Sequence, residues 1–404
     1  MTSPRARRRP DWSVLPPPNP SLRISVIVPV RNEARRLPGA LRALAGQQRL
    51  DPAQFEVIVL ANNCTDASAG VVRQFAARHP ALALHVVEVR FPDDVAHVGH
   101  ARSCLMNEAC RRLRRTAGDA GVIASTDGDT RVDLDWLAAT LREIDAGADA
   151  VGGRIVHGDD VALPRRLVAV ARRDALYQRL RVRLEHALDP DPADPWPRHH
   201  QHFGASLAIT VGAYRRVDGM PAEPFLEDEA LYLRLRRHDM RVRHSDRVSV
   251  VTSSRRRGRV EVGLSWQLRE WQACIAAGRE PAVADPREWA EVLDWRRRLR
   301  ASWRTRADRG GVTVVSAADR AVLSALAERL GSGEARGVRE WRHAASFGAF
   351  WHEVEPRLLA RPRRAQKSLP MRDAVVALRA LIARSRRRTA SRTGRGGRAR
   401  GASP

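Results

Sequence analysis

The sequence predicts an α/β chain: a mostly parallel sheet with helices on both faces over residues 21–264, then a helical region over 265–383. Through residues 21–156, apolar runs of five to eight residues alternate with amphipathic stretches, as strands buried on both faces require. Polar clusters fall just beyond the ends of those runs, where parallel sheets gather their ligands. Past Leu264 the spacing turns helical and takes in seven of the ten tryptophans (Trp266, Trp271, Trp289, Trp295, Trp303, Trp341 and Trp351). With charged residues on the opposite faces, these read as packing residues.

The first strand is expected over 22–30 (LRISVIVPV), followed by a helix over 37–47. A second strand over 55–60 (FEVIVL) leads into the turn-like Asn62-Asn63-Cys64-Thr65-Asp66 and a helix to about Arg78. A third strand is expected over 82–89 and a helix over 99–114. The fourth strand, 122–126, runs directly into Asp127-Gly128-Asp129, and a fifth is expected near 150–156. A helix over 163–188 then gives way to a loop, DPDPADPWPRHHQH, whose four prolines and three histidines argue against regular structure. A strand over 203–210, a short helix over 211–217, a helix opening at Leu226 and a last strand over 241–251 complete the pattern.

Residues 1–20 carry six prolines without periodicity and are expected to form a disordered basic arm. Residues 384–404 hold eight arginines and no acidic residue, and are expected to be a disordered Arg/Gly-rich tail. About half of the +25 formal charge therefore lies in the tails, and its sign alone does not identify a nucleic-acid partner. The tail lacks aromatic residues for base stacking, so a weak contact with an anionic surface is the most it implies. No apolar run approaches the roughly 18 residues needed to span a bilayer, and no apolar stretch of signal-peptide type precedes residue 20, so a cytoplasmic protein is expected. Cys64, Cys104, Cys110 and Cys274 lack metal-site spacing and are expected to be reduced thiols.

Two carboxylates one residue apart at a strand end, Asp127 and Asp129, can face one divalent cation, and hard oxygen ligands suit Mn²⁺ or Mg²⁺. The same triplet also makes an ordinary turn, and its position favours the ligand reading. Glu227-Asp228 opens a helix, where carboxylates cap the helix and can also serve as a general base.

Six motifs in order carry a resemblance: Val28-Pro29-Val30-Arg31-Asn32-Glu33, Asn62-Asn63-Cys64-Thr65-Asp66, Gly99-His100-Ala101-Arg102, Asp127-Gly128-Asp129, Asp218-Gly219-Met220 and Glu227-Asp228. Together, over about residues 22–255, the sequence resembles family 2 glycosyltransferases of the GT-A, Rossmann-like fold. The resemblance implies a nucleoside diphosphate sugar donor and a divalent cation. It assigns Pro29, Arg31 and Glu33 to the nucleotide site, Asn62 and Asp66 to the neighbourhood of the base, and Arg102 to the nucleotide side. Asp127 and Asp129 are implied at ribose and metal diphosphate, Gly204, Ala205 and Ser206 beside donor sugar and acceptor, and Asp228 as catalytic base with Glu227 its neighbour. His244 is a candidate third metal ligand, His202 a candidate acceptor contact, and the Arg255, Arg256, Arg257 run a candidate diphosphate clamp.

Two positions depart from the family. Ala61 stands where many members have an aspartate, and Gln267-Leu268-Arg269-Glu270-Trp271 differs in spacing from the motif of processive members, which disfavours polymer synthesis. Inverting transfer is the favoured expectation. Its rivals are a retaining enzyme of the same fold, a nucleotidyltransferase, disfavoured because Pro29 to Glu33 contains no glycine, and a basic nucleic-acid or membrane-surface binding protein with an inactive enzyme-like half. The sequence identifies no acceptor.

Overall fold

Alternation along the first strands sorts side chains onto two faces. In β1 (Ile24–Val30) every residue is buried, with Ile24, Val26, Val28 and Val30 in one apolar cluster and Ile27 in another. The structure is a computed structural model that describes residues 9–158, 163–254, 263–305, 307–309, 312–360 and 368–396. Arg255, Arg256 and Arg257, singled out above, lie outside these residues. The chain divides into two compact units, Met1–Leu163 with Pro197–Arg236 and Met240–Glu270, and Pro164–Trp196 with Arg237–Asp239 and Trp271–Pro404.

In the first unit, β1 is followed by α1 (Leu37–Ala45), β2 (Phe55–Asn62), α2 (Ser68–Arg78), β3 (Ala83–Val89) and α3 (Val98–Leu113). Then come β4 (Val122–Ser125), β5 (Thr130–Val132), α4 (Trp136–Asp145) and β6 (Ala150–His157). After α5 (Arg165–Leu188), which belongs to the second unit, the first resumes with β7 (Leu207–Thr210), α6 (Val211–Arg216), α7 (Glu227–Arg237) and β8 (Val242–Thr252). The strands form one sheet in the order β3-β2-β1-β4-β7-β6-β8-β5. Pairs β1·β2, β2·β3, β1·β4 and β6·β8 are parallel, while β7 runs antiparallel to both β4 and β6, and β5 antiparallel to β8. The α/β class and GT-A organisation expected from the sequence are thus present.

Leu37, Leu41 and Leu44 of α1, Val72 of α2 and Trp136, Leu137 and Leu141 of α4 cover one face. Leu105, Met106, Ala109 and Leu113 of α3, with Tyr214 of α6 and Leu231 and Leu235 of α7, cover the other. Each such fully buried large side chain contributes about 1.5–3 kcal/mol of transfer free energy.

Residues 203–210, read as one strand, divide into a 3₁₀ turn at Gly204–Ser206 and β7. The three-residue β5 is too short to leave a period-2 signal. Residues 9–20, inside the arm expected to be disordered, are ordered: Trp12–Val14 forms a 3₁₀ turn capped by Asp11, and Leu15 enters the core. The Pro16 carbonyl accepts a hydrogen bond from Arg112 Nη1 at 2.9 Å. Arg112 is itself buried, with Nη2 on Glu56 Oε2 at 2.6 Å and Nε on Oε1 at 2.9 Å, and Ser25 Oγ donates to the same carboxylate at 3.0 Å.

The second unit is mainly helical, as expected past Leu264. It contains α5, α9 (Pro286–Arg304), α10 (Ala317–Leu330), α11 (Glu334–His343), α12 (Phe347–Leu359) and α13 (Met371–Gly396), while α8 (Leu264–Ala276) crosses the boundary between units. Trp295, Trp341 and Trp351 are buried in one cluster, with Trp289 and Trp303 packed against it, which agrees with their reading as packing residues. The helix α13 continues past residue 384, where order was expected to end. Among the described residues no helix is long and apolar enough to cross a membrane.

Removing one partner of a fully buried ion pair strands the other, at a cost of about 3–5 kcal/mol. Arg112→Met is therefore expected to lower the unfolding free energy by about that amount, read from the urea midpoint. An unchanged midpoint would show that Glu56 finds other compensation.

Candidate active site

The site forms where β4 ends early. The Ile27 carbonyl accepts from Thr126 N–H, so Ile27 and, two residues on, Pro29 turn their backbone polar groups toward β4. The β4 pairing stops at Ile27 and Ser125, so the missing N–H of Pro29 faces a gap rather than a ladder. Into that gap turns Asp127-Gly128-Asp129. A Cβ on Gly128 would lie 2.9 Å from Val30 Cγ2 and 3.5 Å from Glu33 Cγ, so only glycine lets the turn sit this closely on the end of β1. Asp127 and Asp129 are half-buried, and Glu33 is buried.

The loops after β1 and β2 brace each other. Asn32 and Asn63 hold left-handed backbone conformations, φ 54° and 49°, which asparagine tolerates best among residues with a side chain. Asn32 Oδ1 accepts from Thr65 N at 2.7 Å, and the Asp66 carboxylate accepts from Ala34 N at 3.0 Å and from Ser68 Oγ at 2.6 Å. Ser68 Oγ in turn accepts from Glu33 N at 2.8 Å. Asn63 brackets Phe91, its amide donating to the Phe91 carbonyl and accepting from the Phe91 N–H, both at 2.9 Å. Asp66 thus braces the loop in which the resemblance places a base contact, while Asn62 is buried at the end of β2 and Arg31 reaches the Ala96 carbonyl at 2.8 Å.

Arg102 is the centre of the cluster. Gly99, one turn earlier on α3, leaves room for the Glu223 carbonyl, which a Cβ would meet at 1.8 Å. Arg102 is buried, with Nη2 on Asp127 Oδ1 at 2.7 Å, Nη1 on Glu227 Oε1 at 2.6 Å, and Asp228 Oδ2 at 4.0 Å. Gly204 lies directly on the guanidinium: a Cβ there would stand 1.6 Å from Nη1. The Gly204 N–H donates to Asp228 Oδ2 at 2.7 Å, its carbonyl accepts from Ser125 Oγ at 2.8 Å, and the Glu229 N–H donates to Asp228 Oδ1 at 2.8 Å. Ala205 and Ser206 are buried, and Ser206 Oγ accepts from Trp136 Nε1 at 3.0 Å. The structure therefore brings Arg102, Asp127, Gly204, Glu227 and Asp228 together.

Burial opposes the Arg102 charge, but the carboxylates of Glu227, Asp127 and Asp228 outweigh it and hold its pKa above the ordinary value. Burial pushes the Glu227 carboxyl up, Arg102 pulls it down, and the Asp228 charge adds to the rise, leaving it above the usual range.

Nothing in the residue pattern singles out Glu229, which meets His202, the candidate acceptor contact. His202 Nε2 lies 2.7 Å from Glu229 Oε2, and the imidazole stacks on Tyr232 at 3.8 Å between ring centres. The hydrogen bond to His202 holds the Glu229 carboxyl below its ordinary range against the opposing effect of burial. His244, on β8 opposite Gly152, packs its ring 5.7 Å from both His202 and Tyr232. Among the described residues no group of three or more His, Cys, Asp or Glu side chains is arranged to hold a metal. Two half-exposed carboxylates still fit a cation of the Mg²⁺ type, which is commonly held by one or two carboxylates with substrate phosphates completing its shell.

Residues 25–195 match the family described as glycosyl transferase family 2. An uncharacterized glycosyltransferase of Mycobacterium tuberculosis is 31% identical over 208 residues, which cover 50% of this chain and 76% of that protein. Glycosyltransferase AglE of Haloferax volcanii is 27% identical over 133 residues, 33% of this chain and 39% of AglE, so the chain spans about two fifths of that relative's length. A mannosyltransferase from Pyrobaculum calidifontis, solved in complex with GDP-Man and Mn²⁺, superposes with a TM-score of 0.43 at 23% identity over 87% of this chain and 90% of that one. This chain belongs to glycosyl transferase family 2.

Because the folded-state pKa of Glu227 lies above its unfolded value of about 4.3, this carboxyl favours folding most at low pH, and its contribution falls as pH rises through the folded value. Arg102→Met raises that folded value further. The variant's stability deficit relative to the parent is expected to be larger at pH 8 than at pH 5, measured by urea unfolding. Equal deficits would remove Glu227 from this account.

Proposed function

We propose that the chain transfers a sugar from a nucleoside diphosphate sugar to an acceptor hydroxyl with inversion at the anomeric carbon, Asp228 acting as general base. The observation that carries this reading is the Arg102 cluster, in which one buried guanidinium binds Asp127 at the end of β4 and Glu227 at the start of α7, with Asp228 4.0 Å away. A carboxylate for the diphosphate side and a carboxylate for the acceptor side are thereby held in one cluster.

Asp228 takes the acceptor proton as the new glycosidic C–O bond forms and the bond from the anomeric carbon to the diphosphate oxygen breaks. The N–H groups of Gly204 and Glu229 hold one carboxylate oxygen each, which fixes the direction in which the remaining lone pairs point. Asp129 and Asp127 would hold the Mn²⁺ or Mg²⁺ ion, with Asp127 Oδ1 also on Arg102. When bound, such an ion takes up negative charge on the departing diphosphate. Pro29, Arg31, Glu33, Asn62 and Asp66 belong to the nucleotide side of the site in this reading, and Gly204 and Ala205 to the donor sugar and acceptor side.

Asp228→Asn keeps the carboxylate's shape and loses its basicity. It is expected to lower the turnover rate by about 10²-fold or more while changing donor affinity by less than about threefold, measured by transfer kinetics and calorimetry. Lost donor binding with retained chemistry would remove the base role, and a product of retained anomeric configuration by NMR would remove inversion.

Asp129→Ala is expected to abolish the dependence of donor binding on Mn²⁺. Calorimetry with UDP-, GDP- and dTDP-sugars, with and without Mn²⁺, checks this, and unchanged metal dependence would exclude Asp129 as a ligand.

A further inference from the structure

Two groups of arginines stand out in the second unit. One set is paired: Arg173 with Glu280, Arg296 with Glu185 and Asp189, Arg300 with Asp189, and Arg357 with Glu340. The other comprises Arg179, Arg183, Arg379 and Arg386, which among the described residues have no carboxylate partner and all line one cavity of about 430 Å³.

Helical spacing explains the convergence. Arg179 and Arg183 are four residues apart on α5, and Arg379 and Arg386 seven apart on α13, so each pair shares a helix face. The helices are joined by an apolar seam of Tyr177 and Leu184 with Ala374, Leu378 and Ile382, and the arginine faces flank it. The Arg183 guanidinium sits 4.3 Å from the centre of the Trp196 ring, and Leu180 and Ile382 add apolar surface to the cavity.

Arg179, Arg379 and Arg386 are exposed and Arg183 half-buried, so the concavity is open and water screens part of their mutual repulsion; a multiply charged anion relieves the rest. Planar guanidinium forks suit phosphate oxygens bidentately, and the apolar wall and indole suit a carbon body attached to the phosphate. We propose that this cavity binds a phosphate ester. The chemistry is shared by the headgroup of an anionic lipid and by a soluble phosphorylated compound. The proposal is independent of the sugar-transfer reading, since none of its residues belongs to the unit that carries Asp127 and Asp228.

The test titrates the full-length protein with inorganic phosphate, glycerol 3-phosphate and dihexanoyl phosphatidic acid below its micelle concentration, by calorimetry at fixed salt. At least one ester should bind with a stoichiometry of one, and the double substitution Arg183→Gln with Arg379→Gln should weaken it by about tenfold or more. The double substitution Arg165→Gln with Arg166→Gln, which removes the same charge from exposed positions of α5 outside the cavity, should change it by less than about twofold. Tightest binding of the phosphatidic acid assigns a lipid headgroup, and equal binding of glycerol 3-phosphate assigns a soluble ester. No ester binding by the parent protein, or equal weakening by both double variants, overturns the proposal. If the glutamine pair lowers the thermal midpoint, Arg183→Lys with Arg379→Lys, which keeps the charge and loses the planar fork, replaces it in the same comparison.

Discussion

One buried guanidinium, that of Arg102, sets the geometry on which the rest of the site depends. A charge so enclosed is tolerable only because carboxylates from two directions reach it, and the buried Glu227 carboxylate depends on the guanidinium in turn. The arrangement is a mutual constraint: the end of β4, the middle of α3 and the start of α7 must come to fixed distances together. The sheet supplies the rigid base for this, since apolar clusters on both of its faces leave α3 little freedom to shift.

Absent side chains matter as much as present ones. Gly128 lets the acidic turn rest on β1, Gly99 admits the backbone at Glu223 to the side of α3, and Gly204 lies flat on the arginine. Close backbone approach also brings the Gly204 N–H to Asp228, so a contact that looks steric is also electrostatic. The loops after β1 and β2 reach similar rigidity differently, through asparagine and aspartate side chains that satisfy backbone groups across the gap.

Much of this is legible in the sequence. The apolar runs marked β1, β2, β3, β4 and β6, and the ordered motifs located the residues that meet around Arg102. What stayed hidden has physical causes. β5 is too short to show alternation, and residues 203–206 look strand-like because glycine, alanine and serine are small enough to be buried in a 3₁₀ turn as readily as in a strand. The order of residues 9–20 draws on Leu15 and Trp12 at the core and on Arg112, a partner nearly a hundred residues away that local composition cannot reveal. The bracing by Asp66 was hidden as well, because the hydrogen bond it accepts from Ala34 N–H, across the gap between two loops, depends on how those loops meet. Glu229 was overshadowed by the acidic residues before it, and only the fold shows that it meets His202.

The sequence separation of the Arg102 and Glu227 contact, 125 residues, carries a consequence for how the molecule is made. As the chain leaves the ribosome, β1, β2, β3 and α3 can associate early, because each pairs with a near neighbour in sequence. The guanidinium must then wait, solvated, until β7 has entered between β4 and β6 and α7 has followed it. Closing so long a loop carries an entropic cost that the near-neighbour pairings do not, so the acidic cluster loses its water only after α7 has emerged. A nascent chain arrested before residue 227 would carry a nearly complete parallel half-sheet with no assembled site.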